Sequence, residues 1–268
     1  MRERMLRWSV YVLVAIGFAV VCVFLSNWQF DRNATRSEQI ALVEENYDAK
    51  PVPLDELIGS DGVFHAEDEW HPVVLHGEYL ADEQLLVRNR PHGGTSAFEV
   101  LVPFLNDDGR LFVVDRGWVA PGSGDAPDAV PAPPSGTVEV VVRLRDDEAA
   151  APGRGAPPGQ VATIDLPTVA DIVGGDVVTS AYGQLVSEDP SAPALGSFDS
   201  PTDDPGPHLS YAIQWILFAL MGFVFIGYII RTEIVKHRED LEGAPVREKK
   251  KRSRDRDADV EDELLDAR

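Results

Sequence analysis

Two apolar runs, residues 8–25 and 211–230, bracket some 185 residues of mixed character and restrict this chain to few architectures. About twenty apolar residues in a helix are what crossing the roughly 30 Å hydrocarbon layer of a bilayer requires. The pattern therefore predicts a membrane protein with two transmembrane helices flanking one folded domain. The first run follows Arg2, Arg4 and Arg7, as the apolar region of a signal peptide would. It ends, however, in Phe24-Leu25-Ser26-Asn27-Trp28 with no small-x-small cleavage site, and Ala19-Val20-Val21-Cys22 sets a bulky valine where a lipoprotein box needs a small residue. It reads as an uncleaved anchor.

Orientation follows from the basic residues beside the spans. Arg2, Arg4 and Arg7 precede the first; Arg231, Lys236 and Arg238 follow the second, with residues 249–252 further on, and no Lys or Arg lies between Arg154 and Arg231. Both termini are expected in the cytoplasm and the central domain outside, in a bacterial plasma membrane, since no amphipathic transit peptide precedes the first span. Residues 27–207 hold 32 acidic and ten basic side chains, and so account for the net charge of -21. Such a field excludes nucleic acid and favours solubility or a basic partner. The single cysteine, Cys22, lies inside the first run as a small apolar residue, which excludes disulfides and cysteine-held metals from the outer domain.

After the first span, residues 31–46 continue as a partly amphipathic helix that Pro51 and Pro53 end. From Trp70 the period becomes extended. Strands are predicted over 71–79, 84–90, 97–104, 111–119 and 137–145, with a hairpin turn at 106–109 and a last strand over 177–187. A short helix is predicted over 166–173, with Asp165 at its N-cap and Gly174-Gly175 as its stop. The fold class is a mainly β, α+β outer domain built on a small antiparallel sheet or barrel. The boundaries are 1–7 cytoplasmic, 8–25 first span, 26–210 outer domain with a flexible segment at 188–207, 211–230 second span, and 231–268 a cytoplasmic, largely disordered charged tail.

No nucleophile elbow, phosphate loop or dinucleotide fingerprint is present. His65, His71 and His76 are close in sequence, but His71 and His76 differ by an odd number and face opposite sides of a strand. Asp115 beside Arg116 suggests an ion pair along one strand. His208 stands apart because it lies at the mouth of the second span, where an ionisable group is a functional candidate, or else anchors the helix end among headgroups.

Three motifs occur in order. Trp28-Gln29 with Arg32 and Arg36 follows the first span, Phe112-Val113-Val114-Asp115-Arg116-Gly117-Trp118-Val119 forms a central strand, and His208 precedes Tyr211-Ala212 with Gln214, Trp215 and Phe218 in the second span. Gly77-Glu78-Tyr79, Arg90, and Pro103-Phe104 with Gly109 lie between them. This set resembles the SURF1 family across roughly residues 25–230. The resemblance implies a non-enzymatic assembly factor for an aa3-type cytochrome c oxidase, with haem a as a transient cofactor, passed on to the oxidase core subunit. Besides the lipid bilayer, the partners implied are that core subunit and haem a synthase. His208 would be the axial ligand of the haem iron, Arg32 and Arg116 propionate partners, and Trp28, Tyr211 and Trp215 aromatic walls. Tyr211 and Trp215 are four apart and share a helix face. Two other readings remain open at the level of sequence: a haem-independent scaffold for a half-built oxidase, and a ligand-sensing ectodomain.

Overall fold

In a computed structural model, residues 2–241 are described; most of the charged tail, for which the sequence predicts disorder, lies outside them. The chain forms two compact units, residues 1–33 with 206–268, and residues 34–205. The first contains most of helix α1 (Arg2–Asn46, 45 residues) and all of α4 (His208–Leu241, 34 residues). Both are apolar and long enough to cross a membrane. At 1.5 Å per residue, α1 extends to about 68 Å, far beyond a bilayer's hydrocarbon layer. No break occurs where the apolar run gives way to the amphipathic stretch.

The second unit is an eight-stranded sheet. Its strands are β1 (Val52–Pro53), β2 (Pro72–Tyr79), β3 (Leu85–His92), β4 (Thr95–Asn106), β5 (Leu111–Val119), β6 (Val138–Asp146), β7 (Gln160–Val161) and β8 (Ala181–Asp189). They lie in the order β1-β2-β6-β8-β5-β4-β3-β7, and β2 also pairs with β4, closing β2-β6-β8-β5-β4 into a ring. The six longer strands agree with the sequence prediction to within a few residues. The sheet is mixed, however, not antiparallel: β1 pairs with β2, β5 with β8, and β3 with β7 in parallel. A parallel pair needs a long crossover rather than a tight turn, and the chain from β5 to β8, which passes through β6, β7 and a helix, supplies one.

Closure depends on Gly77. It faces Asn106 on β4 and Val138 on β6, so two strands converge on one residue. A Cβ there would lie 2.0 Å from the Leu105 carbonyl oxygen. Only glycine lets the backbones approach this closely.

Both faces of β4 and β5 are covered, which is why neither strand alternates in burial. One face, inside the ring, packs Phe104, Phe112, Val114, Val140 and Leu75. The other packs Leu101, Val113 and Tyr182 against Ile164, Leu166 and Val169, the last two from α3 (Leu166–Val173). Asp165 stands at the N-cap of α3 as predicted, but its side chain accepts from the Thr168 hydroxyl rather than capping backbone. The end of α1 is fixed to the sheet within this unit. Asn46 donates to the carbonyls of Glu67 and Glu69, and Arg143 donates to the Tyr47 carbonyl with its guanidinium 3.6 Å from the Tyr47 ring centre.

The segment expected as a flexible linker is anchored at several points. Glu188 and Asp189 complete β8, Gly196 bridges to Trp118, and Arg36 donates to the carbonyls of Thr202 and Asp204.

Candidate functional site

In the helical unit, α1 and α4 run antiparallel. Trp8 donates to Glu233 (2.7 Å) at one end, and Gln29 meets His208 (2.9 Å) at the other. Between these ends the seam is made of small side chains. Ala15, Cys22 and Ser26 are buried on α1, seven and four residues apart, opposite buried Ala212 on α4. Ser26 donates its hydroxyl proton to the Ala212 carbonyl across 3.0 Å. Small residues bring helix backbones close enough in a bilayer for dispersion and hydrogen bonding to hold them.

Gly206 and Pro207 lead into α4, and the Tyr211 N–H closes the first turn on the Pro207 carbonyl (3.0 Å). Proline has no N–H to leave unsatisfied there. His208 is the first helical residue and is half-buried. Its Nδ1 lies 2.9 Å from Gln29 Oε1. An amide oxygen only accepts, so with Gln29 in this orientation the bond is met by the tautomer that carries its proton on Nδ1 and leaves Nε2 as the other ring nitrogen. Gln29 acts as a tautomer lock of the kind that prepares an imidazole for metal.

Around this pair, Trp28 and Tyr211 are about half exposed, at 48% and 46%. Arg32 is exposed, with its guanidinium carbon 5.8 Å from the Trp28 ring centre. Trp215, one turn beyond Tyr211, meets Phe218 edge to face at 5.7 Å. His208, Trp28 and Arg32 thus gather at one end of the helix pair, with Tyr211 and Trp215 following along α4. Sequence reasoning quoted Gln29 only as part of a motif. Its polarity beside Trp28 at the end of an apolar run was the signal that a partner waited on the other helix.

Arg116 requires correction. Adjacent strand residues point to opposite faces, so Arg116 and Asp115 do not pair. Arg116 points into the ring, where its side chain is 1% exposed and donates to both carboxylate oxygens of Glu188 (2.8 and 3.3 Å) and to the Pro131 carbonyl. The Tyr79 hydroxyl donates to the same Glu188 at 3.1 Å. Burial, reinforced by that carboxylate, holds the Tyr79 phenol above its ordinary range. With its donors committed to the core, Arg116 is a structural cation and not a propionate partner.

Asp115 takes the opposite face and is fully buried. Its Oδ1 accepts from the Gly117 N–H at 3.3 Å, and its Oδ2 has no partner. Burial, and then the charge of Glu99, raise its carboxyl well above the usual carboxylate range. The group therefore stays protonated in the fold after the unfolded chain has ionised near pH 4. Its stabilising contribution is complete below that pH and is lost as pH rises toward the folded value. Asp115→Asn keeps an acceptor for Gly117 and removes the titration. Midpoints of urea unfolding between pH 4 and 8 should fall less with pH in the variant than in the wild type; equal slopes would refute this assignment.

Of the three early histidines, His71 contacts the Pro72 carbonyl and His76 lies 3.8 Å from Glu139. Among the described residues no three His, Cys, Asp or Glu side chains come together as a metal site.

The SURF1 family profile matches residues 16–220. SURF1-like proteins of Mycobacterium bovis and Mycobacterium tuberculosis are each 36% identical over 247 residues, covering 90% of this chain and 90% of theirs. The cytochrome oxidase assembly protein SHY1 of Saccharomyces cerevisiae is 27% identical over 121 residues, 44% of this chain and 30% of the yeast protein.

Proposed function

Because the chain belongs to the SURF1 family, we propose that it assists the assembly of a cytochrome oxidase, the role its yeast relative's name records for that protein. It acts without turnover, held by α1 and α4 in a bacterial plasma membrane, with both termini in the cytoplasm and the sheet domain outside. The finer reading is that it receives haem a and supports its transfer to the oxidase core subunit, with haem a synthase as the natural donor.

One observation carries the haem reading: the Gln29–His208 contact, which engages Nδ1 and leaves Nε2 as the ring nitrogen available to a metal at the start of α4. Neutral imidazole is the usual axial ligand of haem iron. The donor set fits the group. Trp28 and Tyr211 offer exposed aromatic surface for an apolar ring, and Arg32 offers an exposed guanidinium for a propionate. Bound haem would supply the redox-active iron the oxidase needs. Gln29 would orient the imidazole of His208, and Trp28 and Tyr211 would pack on the macrocycle.

The test is purification in detergent from cells that make haem a. Wild type should carry a haem a absorbance band, and His208→Ala should lose it while expressing and inserting normally. A band that survives His208→Ala removes this histidine as ligand. A wild type that never shows one leaves the haem-independent scaffold. A deletion strain with a full complement of assembled oxidase would overturn the assembly role itself and return the chain to the sensing class.

A further inference from the structure

The sheet domain is acidic nearly everywhere, with 32 acidic residues against ten basic ones over 27–207. Three of those ten, Arg88, Arg90 and Arg154, line one cleft of about 480 Å³. Its other walls are Gly153, Gly155 and Ala162, which leave the space open, with the Asn89 amide and the Thr163 hydroxyl as neutral polar groups.

The three arginines are not equivalent. Arg90 donates to both oxygens of Glu148 (2.6 and 3.1 Å) and lies 2.5 Å from Glu99. Those two carboxylates have further partners, Glu148 the Ile164 N–H and Glu99 the His92 ring. Arg90 is therefore neutralised. Among the described residues, no carboxylate pairs with Arg88 or Arg154. The Arg88 Nε is also buried without an acceptor. A buried donor with no partner is costly and rare in native proteins unless a ligand or water completes it.

The backbone explains why Arg88 and Arg90 share a cleft. The β3–β4 register shifts between Val87 and Arg90, and Asn89 adopts a left-handed φ of 61°. The bulge takes Arg88 and Asn89 out of the ladder with β4 while Arg90 stays paired with Ala97, and both arginines line the cleft beside the loop that carries Arg154. Bulges commonly re-aim side chains in this way.

We propose that this cleft binds a phosphate dianion, either free or as a phosphomonoester group. Two guanidiniums without acid partners match a double negative charge, and their planar forks suit bidentate contact with phosphate oxygens. A phosphomonoester carries about -1.5 to -2 at neutral pH, whereas a carboxylate or phosphodiester supplies only one charge. The volume leaves room for a small organic substituent. The inference is independent of haem and of the oxidase, because no residue of the helix pair takes part.

The full chain in non-phosphate detergent is titrated calorimetrically with inorganic phosphate and with glycerol phosphate at low ionic strength, against chloride at matched ionic strength. Saturable binding of both phosphates and none of chloride is expected. Arg154→Ala, an exposed loop change that leaves the core intact, should weaken it about tenfold, and the double variant with Arg88→Ala about a hundredfold. Binding that is unchanged in these variants, or no different from chloride, overturns the site. Repeating the titration in nanodiscs of phosphatidylcholine with and without phosphatidic acid assigns the source. Reduced affinity for soluble phosphate with phosphatidic acid present marks a lipid headgroup as occupant, and equal affinity marks a soluble phosphomonoester.

Discussion

Arg116→Ala is expected to cost the sheet domain about 3–5 kcal/mol, the range for removing one partner of a buried ion pair. Most of that loss is the penalty of leaving Glu188 charged and buried rather than the net value of the pair. The Glu188 side chain is only 8% exposed and also receives the Tyr79 hydroxyl and the Ala192 N–H. Loss of Arg116 also takes a guanidinium from 5.4 Å over the Tyr79 ring. For a domain of this size the thermal midpoint should fall by about 6–20 °C. The contrast that identifies the cause is the double variant Arg116→Met with Glu188→Met, which removes both charges and retains volume. It should recover most of the loss, as apolar replacements of buried pairs often do. A double variant no better than the single one would refute this account.

Gly77→Ala should be at least as damaging, above about 4 kcal/mol, so that little folded protein accumulates. The new methyl would lie 2.0 Å from the Leu105 oxygen, 2.9 Å from its carbonyl carbon and 3.1 Å from Asn106 Cα. All three are backbone atoms of the strand that closes the ring. They cannot retreat without opening the pairs Gly77–Asn106, Glu78–Leu105 and Tyr79–Phe104. Gly93→Ala is the matched control: its φ of 58° is left-handed, but nothing lies within 4 Å. It should cost only about 1–2 kcal/mol. Folded yield and urea midpoints of the two variants, measured together, separate backbone collision from conformational preference. Equal effects would show that closure at Gly77 is not the constraint.

Local chemistry made the strands and α3 legible in the sequence: β-branched runs, turn clusters at 91–94 and 106–109, and a glycine pair after Val173. The two long apolar helices were legible by length alone. Ring closure was not, because it depends on an absent side chain at position 77 meeting a strand nearly thirty residues later. The partner of Arg116 was missed for a related reason. Glu188 lies 72 residues away, at the head of a Pro/Asp/Ser stretch that resembles a linker, and only the parallel β5–β8 pairing brings the two together. The misreading of Asp115 was avoidable, since strand alternation already sends neighbours to opposite faces. The histidine at the head of α4 was visible as an ionisable group at the mouth of a long apolar run. The amide that sets its tautomer belongs to the other helix, and no periodicity within α4 points to it.

The two outermost strands of the sheet, β1 and β7, are two residues long. Elsewhere the ring leaves little unpaired main chain, and the longer rim of β3 carries Arg88, Arg90 and Pro91. Exposed strands invite other chains to add on, and short length, charge and proline each discourage it. Many copies of the chain held close together can therefore crowd without stitching their sheets into one another.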